Sequence, residues 1–251
     1  MHGNAGNRAL SHRVTFYKML TRFERAHVFV IDYRGFGDSS PAIPTEETTT
    51  LDAIAAHEYI AKRTQAKIVI VGHSLGSGIA VNLAAHLTKT KSIFAGIILL
   101  SAYANLADAA FNYGTLPILR PFVGTFIEQY IKNGMIEKYD SKSSISRIKA
   151  PVLLIHGKRD GDINVWHSKT LFLSTHALLS SQNMMEDGWG VSIRKGRYVK
   201  LPALVKEINT TDSTIWSTKN NVLVQVEYAG HNSLSEHLVV EDAISSWIGN
   251  L

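Results

Sequence analysis

The stretch Ile68-Val69-Ile70-Val71-Gly72-His73-Ser74-Leu75-Gly76 carries the strongest structural signal in this 251-residue chain. An apolar, β-branched run typical of a buried strand leads into Gly-x-Ser-x-Gly, and a helix-forming run follows at residues 79–87. This order indicates a nucleophile elbow, a sharp turn that presents a serine hydroxyl above a sheet. Gly72 and Gly76 are the elbow glycines, because the backbone there approaches itself too closely for a Cβ atom. The sequence therefore predicts Ser74 as a nucleophile.

The composition excludes several classes of protein. Hydrophobic residues make up 45% and charged residues 19% of the chain, as in ordinary globular proteins. The absence of cysteine excludes disulfides and thiol catalysis, and we expect neither a cofactor nor a metal. The net charge of +5 is spread along the chain, which favours a solvated surface with some affinity for anionic lipid over a nucleic-acid-binding stripe. The most apolar run, residues 93–100, is too short to span a bilayer.

Apolar runs alternate with helical patterns, which predicts a single α/β domain over residues 1–251 with a mostly parallel sheet and helices on both faces. We expect strands at residues 28–31, 68–71, 93–100, 151–155 and 222–226, and helices at residues 50–62, 79–87, 165–173 and 234–248. Residues 104–149 are rich in aromatic and aliphatic side chains and are expected to form a helical cap, with extra core as the alternative. The polar residues 179–221 are expected to be a partly disordered surface insertion.

An elbow serine needs an orienting acid and a base, which follow it in that order along the chain. Asp160 lies just after the strand at residues 151–155, and Asp162 is the alternative acid. His231 follows the last predicted strand and is the expected base. Three other histidines are expected to be scaffold or surface residues, namely His73, His156 and His237.

A serine nucleophile also needs two N–H donors for the oxyanion that forms on attack. The backbone N–H of Leu75 is one. The second normally comes from an early His-Gly loop, which His2-Gly3-Asn4-Ala5-Gly6-Asn7 fits, with the backbone N–H of Asn4 as the expected donor. Together these parts predict acyl transfer, in which Ser74 attacks an ester carbonyl while His231 takes its proton, and water then releases the acid.

Four stretches together resemble one branch of the α/β-hydrolase fold, the membrane-associated serine lipases acting on lysophosphatidylserine and monoacylglycerol. They are the His2-Gly3-Asn4-Ala5-Gly6-Asn7-Arg8 loop, Asp32-Tyr33-Arg34-Gly35-Phe36-Gly37-Asp38-Ser39, Gly72-His73-Ser74-Leu75-Gly76 and residues 151–172. The resemblance implies an α/β-hydrolase fold with a cap insertion and the triad Ser74, Asp160 and His231. It also implies a lipid ester substrate, a possible membrane surface and an endoplasmic reticulum membrane location. The head group, acyl-chain length and oligomeric state stay open.

The chain departs from this family at several points. Lys158 and Arg159 stand where the family often has Glu-Asp, Asn164 stands where it often has proline, and the insertion before the last strand is longer. Family members carry a strand before the His-Gly loop, between those matching residues 28–31 and 68–71, so we expect amino-terminal strands to be missing here. Two other hypotheses are an esterase or peptidase for small soluble substrates, and a non-catalytic hydrolase-fold protein.

Overall fold

A computed structural model describes residues 1–22, 26–112, 125–175 and 205–251. Within these ranges the helices and strands follow in the order α1 (Ser11–Leu20), α2 (Glu46–Ala61), β1 (Val69–His73), α3 (Leu75–Thr90), β2 (Gly96–Leu100), α4 (Leu106–Asn112), α5 (Phe126–Gly134), α6 (Ser141–Ile145), β3 (Val152–Gly157), α7 (Trp166–Ser174), β4 (Lys206–Asn209), β5 (Ser213–Ser217), β6 (Asn221–Val226) and α8 (Leu238–Gly249). A single turn of 3₁₀ helix, Leu234–Glu236, precedes α8.

The strands of the described residues form one sheet in the order β1-β2-β3-β6-β5-β4. The strands β1, β2, β3 and β6 are parallel, whereas β5 and β4 continue the sheet antiparallel. The register pairs His73 with Leu100, and Gly157 with Val226. The carboxyl ends of the parallel strands therefore lie along one edge of the sheet, which is where such sheets place their sites.

Two hydrophobic cores cover the two faces of the sheet. Every residue of β2 is buried, and its side chains alternate between the faces. Ile97 and Leu99 join the core that includes side chains of α3 and α7, while Ile98 and Leu100 join the core that includes side chains of α1 and α8. The helix–sheet–helix layering predicted from the alternating pattern is confirmed.

Most predicted elements are present with shifted ends. The predicted strands at residues 68–71, 93–100, 151–155 and 222–226 correspond to β1, β2, β3 and β6, and the predicted helices to α2, α3, α7 and α8. The helix α2 begins earlier than predicted because Thr45 caps it, accepting the Thr48 N–H while the Thr48 hydroxyl accepts the Thr45 N–H. The helix α1 was not predicted.

The predicted strand at residues 28–31 is wrong, because a strand needs a hydrogen-bonded neighbour about 4.8 Å away and no described strand lies beside these residues. Instead, residues 28–31 line a cavity of about 650 Å³ that residues of β1 line as well. Met1 pairs with β1 from the same side: its nitrogen donates to the Val71 carbonyl at 2.7 Å, and its carbonyl accepts the His73 N–H at 3.1 Å.

Two segments, residues 104–149 and residues 179–221, interrupt the alternation of strands and helices. Within residues 104–149 the structure has the helices α4, α5 and α6, and residues 113–124 lie outside the described residues. The expectation of a partly disordered surface insertion at residues 179–221 is wrong at the carboxyl end of this segment, where β4 and β5 extend the sheet. Trp216 of β5 is 3% exposed and packs into the core, which gives this polar segment an apolar anchor. Residues 176–204 lie outside the described residues.

Candidate active site

The elbow positions Ser74 between β1 and the first turn of α3. Ser74 has φ 53° and ψ −121°, in the positive-φ region that side chains rarely adopt, as expected of a nucleophile at a strained turn. A Cβ atom on Gly72 would lie 2.4 Å from the Gly76 carbonyl oxygen, and one on Gly76 would lie 2.4 Å from the Met1 carbonyl oxygen. Backbone atoms thus leave room for glycine alone at both positions.

We expect Gly72→Ala to lower the free energy of unfolding by about 2 to 3 kcal/mol, because the new methyl group must displace backbone on a packed strand. Gly249→Ala is the matched control, since no atom of the described part of the chain lies within 4 Å of a Cβ atom placed there. Urea unfolding at neutral pH measures both variants. Equal stability of the two would show that the elbow tolerates a side chain at position 72.

Three side chains from the ends of three parallel strands meet at this edge. His231 Nδ1 lies 2.8 Å from Asp160 Oδ2, and His231 Nε2 lies 3.0 Å from Ser74 Oγ. Because the carboxylate only accepts, the proton of a neutral His231 sits on Nδ1, and Nε2 accepts the Ser74 hydroxyl. The arrangement can remove the proton of Ser74 as the oxygen attacks.

The Asp160 carboxylate is fully buried and hydrogen-bonded at both oxygens. Oδ1 accepts the backbone N–H groups of Asp162 at 2.9 Å and Ile163 at 2.8 Å, while Oδ2 faces His231 and, at 3.3 Å, His156 Nε2. Burial opposes ionisation, but the hydrogen bonds from His156 and His231 hold the pKa of Asp160 well below its usual range. The structure thus brings Asp160 to His231, whereas Asp162 contributes a backbone N–H.

Two histidines expected to be scaffold residues contact this constellation directly. His73 Nε2 donates to the His231 carbonyl oxygen at 2.9 Å, and the two rings lie 5.0 Å apart. His156 Nε2 donates to the Ile163 carbonyl oxygen at 2.9 Å beside Asp160. Both rings support the position of a neighbouring site residue. The sequence signal for these roles was proximity: His73 is next to Ser74, and His156 lies four residues before Asp160.

The His-Gly loop passes beside the elbow. A Cβ atom on Gly3 would lie 3.1 Å from Ser74 Cβ, so this loop borders the serine. Leu75 is the first residue of α3, where a backbone N–H has no partner within the helix. Arg13 of α1 donates hydrogen bonds to the carbonyl oxygens of the loop, a contact that the sequence analysis missed.

Burial makes this protein sensitive to acid. Burial, with a smaller contribution from the neighbouring His231 and His156 respectively, lowers the pKa of His73 and of His167 to about 3. Unfolding returns each imidazole to a pKa of about 6.5, so the unfolded state binds more protons, and stability falls as the pH drops from about 6.5 towards 3.

We expect each of these two histidines to remove about 2 kcal/mol of stability at pH 5 relative to pH 8. His167→Phe should therefore reduce the difference in unfolding free energy between pH 8 and pH 5 by about 2 kcal/mol. Urea unfolding of wild type and variant at both pH values measures it. An unchanged pH dependence in His167→Phe would contradict the assignment of a buried neutral ring.

The fold and the site define the class of protein. Residues 1–134 match the family described as alpha/beta hydrolase fold, and the chain belongs to that family. Among solved structures, the esterase Pf2001 of Pyrococcus furiosus superposes with a TM-score of 0.65 at 16% identity, covering 100% of this chain and 81% of the esterase. Mouse alpha/beta hydrolase domain-containing protein 10 has a TM-score of 0.53 at 13% identity, covering 100% of this chain and 86% of that protein. At such identities these likenesses concern the fold, and they confirm the α/β-hydrolase prediction.

Sequence relatives point to one branch of the family. Human protein ABHD12B is 30% identical over 222 residues, which are 86% of this chain and 60% of that protein. The lysophosphatidylserine lipase ABHD12 of Xenopus tropicalis is 34% identical over 176 residues, which are 68% of this chain and 45% of the lipase. The chain thus matches 60% and 45% of the length of these two relatives, less than two thirds of either. In the described part of the chain, helices that could cross a membrane are absent.

Proposed function

We propose that this protein is a serine hydrolase that cleaves carboxylic esters of lipids through an acyl-enzyme. The observation that carries the proposal is the hydrogen-bonded series from Asp160 through His231 to Ser74, at 2.8 and 3.0 Å. A non-catalytic binding protein with this fold would not require a strained serine with an aligned base and a buried acid. The hydrolase fold of the family supports the same conclusion.

The mechanism follows from the positions of the groups. Ser74 Oγ attacks the ester carbonyl as His231 Nε2 takes its proton, and the ionised Asp160 stabilises the imidazolium that results. The backbone N–H groups of Leu75 and Asn4 donate to the oxyanion of the tetrahedral intermediate. His231 then protonates the leaving alcohol, and water, activated by the same imidazole, hydrolyses the acyl-enzyme.

Three observations support a lipid substrate. The similar Xenopus protein is named a lysophosphatidylserine lipase. On α5, in the segment between β2 and β3, Phe126 and Tyr130 share a face and are 84% and 81% exposed, which suits contact with lipid. The net charge of +5 favours anionic head groups and a membrane surface. We also propose a location at the endoplasmic reticulum membrane, for which the family resemblance is the sole support.

Hydrolysis assays on lysophosphatidylserine, monoacylglycerol and the soluble ester p-nitrophenyl acetate test the substrate class, with His231→Ala as the inactive control. We expect a kcat/KM at least tenfold higher for one of the lipids than for the soluble ester. Hydrolysis of the soluble ester alone would favour the small-substrate esterase. Folded protein without activity on any of the three would favour a non-catalytic role.

A further inference from the structure

A single buried guanidinium holds the loop beside Ser74. Arg13, in α1, is 6% exposed. Its Nη2 lies 3.0 Å from each of the carbonyl oxygens of Gly3, Asn4 and Ala5, and its Nη1 lies 2.7 Å from that of Asn7. One side chain thus gathers four carbonyl groups of a loop that contains no helix or strand.

Gathering consecutive carbonyls requires an unusual backbone. In a strand, successive carbonyls alternate in direction, so three in a row cannot face one cation. Ala5 and Gly6 adopt φ values of 59° and 63°, which turn the chain around the guanidinium. Without the Arg13 hydrogen bonds, these three carbonyls would crowd together with their dipoles aligned. Arg13 therefore determines the conformation of the loop.

Peptide geometry links this clamp to the oxyanion hole. The C=O of one residue and the N–H of the next point in opposite directions across a planar trans peptide. The Gly3 carbonyl oxygen lies 3.0 Å from Arg13 Nη2 and 2.8 Å from His2 Nδ1. Anchoring this carbonyl on the Arg13 side therefore fixes the Asn4 N–H on the side of the loop away from Arg13. Gly3 itself lies against Ser74, with its would-be Cβ 3.1 Å from Ser74 Cβ. The clamped peptide is thus beside the nucleophile.

The charge of Arg13 adds to this effect. Among the described residues, no carboxylate lies within ion-pair distance of Arg13, and Asp32 is engaged by Arg8 and faces His2. The groups in direct contact with the positive charge are therefore the carbonyl oxygens of the loop, and Asp32 adds a favourable charge interaction at longer range. A charge held in place behind a peptide favours negative charge on its N–H side, where an oxyanion would form.

We propose that Arg13 is a positioning residue for the oxyanion hole, holding the Gly3–Asn4 peptide so that the Asn4 N–H meets the oxyanion formed by attack of Ser74. This inference rests on the proposed function. It differs from the triad because Arg13 acts through a backbone amide and touches no reacting atom.

Arg13→Met removes the clamp while keeping the length of the side chain. We expect kcat for p-nitrophenyl butyrate to fall about 100-fold with KM within about twofold, because the loss concerns the tetrahedral state and not substrate binding. The inhibition constant of a trifluoromethyl ketone, which binds as an oxyanion adduct, should rise by a similar factor. Arg13→Lys should lie between, since an ammonium has three donors concentrated at one atom and cannot reach all four carbonyls.

Arg8→Met is the matched control. Arg8 belongs to the same loop region, but its guanidinium pairs with the buried Asp32 and the exposed Asp38 and, among the described residues, with no carbonyl of the loop. Asp32 keeps its contacts with His2 and with the backbone N–H of residue 8 in the variant, so we expect kcat to stay within about threefold of wild type. Circular dichroism and thermal unfolding establish that each variant is folded. If Arg13→Met does not fold, Arg13→Lys carries the same comparison of kcat, KM and ketone inhibition.

A double-mutant cycle tests whether Arg13 acts through the Asn4 amide. Asn4→Pro removes that N–H, and we expect it to lower kcat by about 100-fold on its own. We expect Arg13→Met to cost little further activity in the Asn4→Pro background. Additive losses, or folded Arg13 variants with wild-type kcat and ketone affinity, would overturn the proposal. An inactive wild type that no serine-directed probe modifies would instead overturn the proposed function.

Discussion

Replacing Ser74 by alanine is expected to lower kcat for ester hydrolysis by about 10⁶-fold. The hydroxyl is the one nucleophile that His231 can deprotonate at the elbow, with Nε2 3.0 Å from Oγ. Without it, no acyl-enzyme forms, and the residual rate comes from polarisation of the ester by the oxyanion donors. Steady-state hydrolysis of p-nitrophenyl butyrate measures the loss.

Ser77→Ala is the matched control for this substitution. Ser77 lies on the first turn of α3 and is buried, and its hydroxyl has no hydrogen-bond partner among the described residues. Removal of that oxygen should therefore leave kcat within about threefold. A Ser74→Ala variant that hydrolyses the ester at a rate within tenfold of wild type would contradict the assignment of the nucleophile.

Replacing Asp160 by asparagine is expected to lower kcat by about 10⁴-fold. The carboxylate accepts the Nδ1–H of His231 at 2.8 Å, and that contact leaves Nε2 free to accept the serine proton. An amide can present its NH₂ group to Nδ1, which moves the imidazole proton to Nε2 and removes the base. The variant also loses the negative charge that stabilises the imidazolium.

The neighbouring acid provides the control. Asp162→Asn preserves the backbone N–H that donates to Asp160 Oδ1 and changes only a carboxylate that has no contact with His231 in the described structure. Its kcat should remain within about threefold of wild type. A loss of similar size in both variants, or a larger loss in Asp162→Asn, would show that the acid is assigned to the wrong residue.

The fold was predictable wherever the signal is local. The elbow can be recognised from nine consecutive residues. Asp160 and His231 can be selected because they follow predicted parallel strands, and sites in such sheets lie at the carboxyl ends of the strands. Residues 28–31 have the composition of a strand, yet a strand forms only with a paired neighbour, which no local pattern can report. β5 was missed because its residues are polar apart from the buried Trp216 and its neighbour Ile215.

The supporting residues of the site were harder to predict for a different reason. Arg13 donates to backbone carbonyls. Because every residue has a carbonyl, the sequence contains no particular residue type that would reveal the partner of such an arginine. His73 and His156 likewise bind carbonyl oxygens. Only the three-dimensional structure shows which of the histidines in its described ranges lie against Ser74, Asp160 and His231.

Covalent labelling by a fluorophosphonate, with the modified residue mapped by mass spectrometry, tests the central claim most directly. The reagent reacts with a serine that is activated by a base and forms a stable adduct without needing the true substrate. We expect stoichiometric modification of Ser74 in the wild type and none in His231→Ala. Folded wild-type protein that stays unmodified, or that is modified at a different serine, would contradict the central claim.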